Sequence, residues 1–363
     1  MSRIISFACS LVIIWIVGYF LIVGSNILIP LVIAVLIWHL LNTISSTIQK
    51  TPKLGPLLPN WLSMVLAFCV VIISLTIFAN IITNNINNVI EASGRYQENL
   101  LRIVDGIDAK YRIELLANIN QLVKTMSLQT MLIKVSSMFT TLASSTVLIV
   151  LYVAFLFVEQ HFFLRKMDAL FPSWDNQKLV NNILSHVAHD TQAYLGLKSI
   201  LSIITALASW GIMRWVGVDF AEFWALLIFF LNFIPNIGAI IAILFPATLV
   251  VVQFASWLPF LEVILGLGII QFFVGNVIEP RFLSHTLNLS PLIILLSLAL
   301  WGTIWGVLGM FLSVPITVMM MIICAHFEKT RPIAILLSQD GDIFKAYETI
   351  SDESILEKNW LQY

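Results

Sequence analysis

The sequence predicts an all-α, polytopic membrane protein of about eight spans, and three observations carry that prediction. Only 11% of its residues are charged and 59% are hydrophobic, where soluble domains carry roughly 25% charged residues. The mean hydropathy is +0.96. Formal charges are absent from residues 4–49, 54–90, 135–158, 223–261, 263–278 and 282–327. A spanning helix needs only about 20 such positions, and an ionised group at mid-bilayer costs roughly 2.5–3.5 kcal/mol. An ordinary soluble enzyme is excluded.

The first uncharged stretch holds two helices, residues 4–23 and 27–41, turning at Gly24-Ser25-Asn26. Residues 62–82 make a third span and 138–158 a fourth. Residues 200–216 make a fifth, bounded by Lys198 and Arg214, whose long side chains can reach the interface. The later runs are interrupted by proline: residues 223–252 contain Pro235 and Pro246, and residues 289–324 contain Pro291 and Pro315. Proline removes a helical hydrogen bond and crowds the preceding turn, so neither run is expected to be one straight helix. With the uncharged run 263–278 as a further span, counting each broken run once gives eight spans, and counting each twice gives ten. Either even number places Arg3, Lys50, Lys53, Arg165, Lys166, Lys178, Lys329 and Arg331 on one side, which the positive-inside rule makes cytoplasmic. Both termini are therefore expected in the cytoplasm. The amino-terminal apolar run is too long for a secretory signal and lacks a small-x-small cleavage site, so it is expected to stay attached.

Two segments differ in kind. Residues 83–137 interleave acids and bases with apolar positions, among them Ile86, Val89, Ile90, Leu100, Leu101, Val104 and Ile107 at near-helical spacing. They read as an amphipathic extracytoplasmic helical layer. In residues 159–198, Asp175 caps a stretch in which Leu179, Ile183, Val187 and Tyr194 share a face. That cytoplasmic segment is expected to lie along the membrane surface. The predicted organisation is thus three spans in residues 1–82, the outer layer at 83–137, a fourth span at 138–158, the cytoplasmic segment at 159–198, a transport core at 199–327 and a cytoplasmic tail at 328–363.

Chemistry is mostly excluded. A formal charge of -1 offers no field to attract nucleic acid. Cys9, Cys69 and Cys324 are lone thiols inside apolar runs and read as packing residues. His186-x-x-His189-Asp190 lacks the glutamate that follows the first histidine in a metalloprotease helix. Gly196-Leu197-Lys198-Ser199 lacks the glycines of a phosphate loop. No enzyme activity, cofactor or metal is expected.

What stands out is conformationally unusual backbone in the carboxy-terminal half. Asn232-Phe233-Ile234-Pro235-Asn236-Ile237-Gly238 combines two amides, a proline and a glycine, and predicts a broken helix. A second string runs from Gln271 through Gly275-Asn276-Val277-Ile278-Glu279-Pro280-Arg281 to Leu289-Ser290-Pro291. A third joins Trp301-Gly302, Gly306 and Gly309 to Ser313-Val314-Pro315-Ile316-Thr317. Carbonyls freed at such breaks must face protein, water or a ligand rather than lipid, and paired Pro/Gly-interrupted segments point to a transporter's solute site. Asn232, Asn236, Gln271, Asn276, Glu279, Arg281, Ser290 and Trp301 are the candidate solute contacts. Pro235, Gly238, Pro246, Gly275, Gly306, Gly309 and Pro315 are the candidate hinges of a moving gate. The plainer reading makes the amides interhelical glue worth roughly 0.6 kcal/mol each, the glycines points of close approach, and Glu279 and Arg281 interfacial anchors.

These strings, with Leu197-Lys198-Ser199 and Ser202-Ile203-Ile204-Thr205, resemble the autoinducer-2 exporter family of bacterial permeases from about Tyr194 to Ser338. The amino-terminal third agrees in hydropathy alone. The resemblance implies an inner-membrane protein of eight spans, export of the signal autoinducer-2, and a homo-oligomer, a pentamer by the family pattern; other members are described as sodium/proton antiporters. Two positions depart from the pattern: Val307-Leu308 where proline often follows the glycine, and Ser284 where glycine is usual. The residues themselves favour a neutral solute. Glu222, Glu262, Glu279, His39 and His326 fall at run ends, whereas a proton-coupled exchanger needs a titratable group deep in the membrane. The expected partners are a small solute, the bilayer and further copies of the chain. An oligomeric scaffold that binds a partner through residues 83–137 is the non-transport alternative.

Overall fold

The computed structural model describes residues 3–51, 58–74, 76–77, 80–81, 94–96, 98–99, 102, 146–170, 174–283, 288–327 and 329–341. Among them every regular element is helical apart from an isolated antiparallel bridge, Leu289 to Ser338. The predicted all-α class holds. In chain order the helices are α1 (Arg3–Val23), α2 (Ser25–Lys50), α3 (Asn60–Ser74), α4 (Thr146–Leu170), α5 (Trp174–Val216) and α6 (Ala221–Leu231). They continue with α7 (Ile237–Phe254), α8 (Trp257–Phe273), a π-turn (Val274–Ile278), α9 (Glu279–Leu283), α10 (Pro291–His326) and α11 (Arg331–Leu337). Five stretches of the described chain are long and apolar enough to cross a bilayer: Ser25–Lys50, Thr191–Val216, Ile237–Phe254, Trp257–Phe282 and Pro291–His326. Shorter apolar helices are Leu11–Val23, Asn60–Ser74, Thr146–Gln160 and Ala221–Leu231. Most of the expected outer layer, the side chains of His186, His189 and Asp190, Ser284, and the tail from residue 342 lie outside the described residues.

Local chemistry sets the boundaries. Gly24 alone divides α1 from α2, and a Cβ there would stand 2.8 Å from the Phe20 carbonyl oxygen. α5 joins two segments that the sequence reading separates. The stretch expected along the membrane surface does not form a separate element, because the backbone continues unbroken into the fifth span as one helix of 43 residues. No proline or glycine pair stands between the two to stop it. α5 ends where Gly217 adopts φ +83° and the Val218 amide donates 2.8 Å back to the Met213 carbonyl. That six-to-one bond is the Schellman closure, and glycine takes the left-handed position without a Cβ clash.

The chain forms two compact units. The first comprises Met1–Thr43, Val147–Leu197 and Pro280–Tyr363; the second comprises Ile44–Thr146 and Lys198–Glu279. Within the first unit, the Trp305 indole donates to the Leu21 carbonyl at 2.9 Å and joins α10 to α1. The Trp38 indole donates to the Gln160 side chain at 3.0 Å, which joins α2 to α4. α11 packs against α10. The chain ends flanking these two helices are clasped: the Ser290 amide donates to the Leu337 carbonyl at 3.0 Å and the Asn288 side-chain amide to Asp340 at 2.8 Å. Within the second unit, α7 packs on both α6 and α8.

Both broken runs fold back on themselves. A Cβ on Gly238 would lie 1.8 Å from the Leu231 carbonyl oxygen, although seven residues of continuous helix would separate the two by about 10 Å. The chain therefore reverses through residues 232–236, and α6 and α7 form a hairpin. α10 does the same within its own span: Gly306 has φ 64° and ψ -143°, and a Cβ on Gly309 would lie 1.8 Å from the Trp301 carbonyl oxygen. Each hairpin has a short first arm. α6, with 11 residues, is about 16 Å long at 1.5 Å per residue, well below the roughly 30 Å hydrocarbon core.

Candidate solute-binding site

The second unit holds the four candidate amides. Asn232 ends α6, is 8% exposed, and donates from its side-chain amide to the Ser202 hydroxyl at 3.1 Å. This bond ties the hairpin turn to α5. Asn236 is exposed and carries φ 58° and ψ -56°, while the Ile237 amide donates to the Pro235 carbonyl at 2.6 Å. That is a γ-turn with positive φ, a rare and strained form for a residue with a Cβ. Pro235 is half-buried, and Gly238 is buried where only a bare Cα fits.

α8 buries one face through Val263, Leu267 and Gln271, and Val274 at the start of the π-turn continues it. Gln271 is 6% exposed, and its Nε2 finds no acceptor among the described residues. A buried, unmet donor costs about 1–3 kcal/mol unless something else satisfies it. Asn276, in the π-turn, is exposed and donates back to the Phe272 carbonyl at 3.2 Å. Gly275 is also exposed, and a Cβ there would meet nothing within 4 Å. The four amides thus share one unit without bonding to each other among the described residues.

Sequence reading missed the face that organises this unit. Lys198, Ser202, Thr205 and Ser209 recur at helical spacing on α5, and all are buried. Lys198 was expected to reach the interface; instead its side chain is 4% exposed and pairs with Glu279, whose side chain is 26% exposed. The correction has a physical cause: the partner carboxylate is supplied by the π-turn that leads into α9. Farther along, a Cβ on Gly266 would stand 2.9 Å from the Ile212 side chain. With the Lys198–Glu279 pair, that approach makes α5 and α8 antiparallel and puts Gln271 level with the Thr205 to Ser209 turn. Ser209 Oγ and Trp224 Nε1 are likewise buried without partners among the described residues. The spacing of four polar residues along the apolar second half of α5 was the available signal. At the other end of α5, Arg214 meets Glu222 at 3.8 Å on the surface, as an interfacial cation should.

Nearby, Tyr96 is buried and donates its hydroxyl to Asp219 at 2.7 Å. Asn99 donates to the Val252 carbonyl at 3.0 Å. Burial first, then the bond to Asp219, pushes the Tyr96 phenol above its ordinary range.

In the first unit, Trp301 is 8% exposed and its ring lies 5.3 Å from that of Trp305. Gly306 is exposed at the fold-back and Gly309 is buried in it. Ser290 is half-buried and precedes α10 without a side-chain capping bond, and Arg281 is exposed. Pro246 in α7 and Pro315 in α10 are buried within helix rather than at the breaks.

The described residues thus combine hairpins of unequal arms, a strained turn and buried unmet donors in an apolar helix bundle. A family model for AI-2E family transporters matches residues 4–329. The chain belongs to the AI-2E transporter family. It is 27% identical over 320 residues to the AI-2 transport protein TqsA of Escherichia coli K12, covering 87% of this chain and 90% of that one. It is 38% identical over 138 residues to the candidate transport protein YhhT of the same organism, 38% of either chain. The candidate permease PerM is 25% identical over 176 residues, 48% of this chain and 49% of its own. This AI-2E family member is accordingly a membrane transport protein and not an enzyme.

Proposed function

We propose that the protein is a secondary transporter that exports a small, neutral, polar solute, and that the solute is autoinducer-2. The observation that carries the reading is Gln271, a side-chain amide buried in an apolar helix bundle with a donor that no described residue accepts. Such a group suits a ligand oxygen, which can exchange hydration for hydrogen bonds without a charge penalty. The name of TqsA, the relative matched over most of both chains, supports the choice of solute.

In this reading Asn236, Gln271 and Asn276 meet solute within the second unit, with Asn232 holding the turn in place. Within the first unit, Ser290, Trp301 and Arg281 are the candidate contacts. Pro235, Gly238, Gly275, Gly306 and Gly309 let the chain bend and approach closely, and Pro246 and Pro315 shape the long arms. The protein sits in the bacterial inner membrane with both termini cytoplasmic and works as a homo-oligomer, a pentamer by family pattern. Transport requires two states that differ in preference for the solute. Cation/proton exchange is the second reading, favoured by the presence of Glu279 inside the candidate span Trp257–Phe282.

Counterflow of labelled autoinducer-2 in proteoliposomes, with and without sodium or pH gradients, separates the two. Saturable counterflow without any ion gradient, lost in Gln271→Leu, is the expected result. Sodium flux driven by a pH gradient with no solute counterflow overturns it.

A further inference from the structure

We propose that Lys198 and Glu279 form a charge-neutral recognition subsite for a hydroxyl-bearing solute, in which Lys198 donates to a solute oxygen and Glu279 accepts from a solute hydroxyl. The inference rests on the reading of the chain as a solute exporter and names the chemistry of that same site.

The argument begins with unused bonding capacity. An ammonium carries three donors and a carboxylate about four acceptor positions. Among the described residues, Lys198 meets one acceptor, Glu279 Oε1, and Glu279 meets one donor, Lys198 Nζ. The lysine side chain is 4% exposed, so water cannot freely serve its remaining hydrogens, while the glutamate keeps 26% of its side chain open. A ligand reaching the pair through the carboxylate side finds donors and acceptors together.

Net charge then selects the ligand. The pair sums to zero, so a neutral solute leaves no charge uncompensated, whereas an anion or a cation brings one into a poorly solvated place. Position supports the same conclusion. Ser202, one turn along α5 from Lys198, holds Asn232 at the hairpin turn, and the buried donor of Gln271 lies on α8, which the π-turn joins to Glu279.

The backbone is arranged to deliver the carboxylate. The Glu279 amide donates to the Val274 carbonyl, five residues back, across the π-turn Val274–Ile278. One residue more than an α-turn rotates everything that follows by about 100°. That extra residue sets the side on which Glu279 projects from α8, and it projects onto Lys198. A pair serving only to hold α5 against α8 would do so with no bearing on which solute binds.

The test uses the full chain in nanodiscs and reads ligand-induced shifts in melting temperature. The probes are D-ribose, D-ribonate and 1-amino-1-deoxyribitol, which are five-carbon solutes of neutral, negative and positive charge. The wild type should favour ribose. Glu279→Gln should move relative affinity at least about tenfold toward ribonate, and Lys198→Met at least about tenfold toward the amine. The exchange Lys198→Glu with Glu279→Lys restores a neutral pair and should restore the preference for ribose; it decides the matter if either single variant fails to fold. An unchanged order of probes in every folded variant, or a wild type that binds none of the three, overturns the proposal. Efflux of autoinducer-2 measured alongside keeps the two readings apart. Shifted preferences without efflux support the subsite and sink the autoinducer-2 reading, whereas efflux with unshifted preferences sinks the subsite alone.

Discussion

At the scale of single residues, Asn236 and the two buried glycines carry the sharpest consequences. Asn236 occupies a positive-φ γ-turn that costs a residue with a Cβ of the order of 1–3 kcal/mol. Asn236→Gly should therefore raise thermal stability in detergent while lowering solute counterflow; a variant that gains stability and keeps full flux would make the strain incidental. Gly238 and Gly309 leave no choice, since a Cβ at either would lie 1.8 Å from a backbone carbonyl oxygen. Gly238→Ala and Gly309→Ala should each lose at least about 3 kcal/mol, read as a collapse in folded yield, whereas Gly275→Ala, which meets nothing within 4 Å, should melt like the wild type. The sequence made all three glycines look alike. Only the path of the neighbouring chain distinguishes a seat against a carbonyl from open space, and spacing does not encode that path. Asn232 illustrates the same limit: its amide was visible in the sequence, but its partner, Ser202, lies on another helix. A double-mutant cycle on that pair should give about 0.6 kcal/mol of coupling, and zero coupling would remove the tie between turn and α5.

At the scale of elements, the broken runs were legible and their form was not. Proline and glycine clusters announced that residues 223–252 and 289–324 would not be straight. The breaks fall at residues 232–236 and at Gly306, while Pro246 and Pro315 sit inside the long arms. Proline fixes φ near helical values and withdraws one hydrogen bond, which a packed helix can tolerate; a glycine at φ 64° cannot continue a helix at all. The π-turn was unreadable for a related reason, because an inserted residue leaves the apolar pattern of a nearly all-apolar helix unchanged. Deleting Gly275 should return Val274–Ile278 to α-helical phase and turn Glu279 away from Lys198. The deletion should reproduce the solute preferences of Glu279→Gln, and retention of the wild-type order would show that the turn does not place the carboxylate.

At the scale of the whole molecule, hydropathy and charge spacing were sufficient for the all-α membrane class, because exclusion of charge from hydrocarbon is a coarse rule applied over many residues, whereas the family was legible only in the motif strings between Tyr194 and Ser338. The same rule misplaced Lys198, since it treats each charge alone and a paired charge can be buried. Within the second unit, Tyr96 of the 83–137 segment is tied to the α5–α6 connection through Asp219. With the Tyr96 phenol held above its ordinary range, the native state keeps its proton where the unfolded chain would release it. The bond's contribution is therefore complete below the unfolded phenol's titration and lost as pH rises beyond it. Alkaline melting curves should fall less steeply in Tyr96→Phe than in the wild type, and parallel curves would leave the bond without a share in stability.

The clasp between residues 288–290 and 337–340 closes the α10–α11 stretch into a ring, part covalent chain and part hydrogen bonds. A ring cannot pay out one arm and take in the other as a slack thread can. While those bonds hold, the entrance of α10 and the far side of α11 travel as a single piece, so bending at Gly306 would swing a finished loop rather than reel one in.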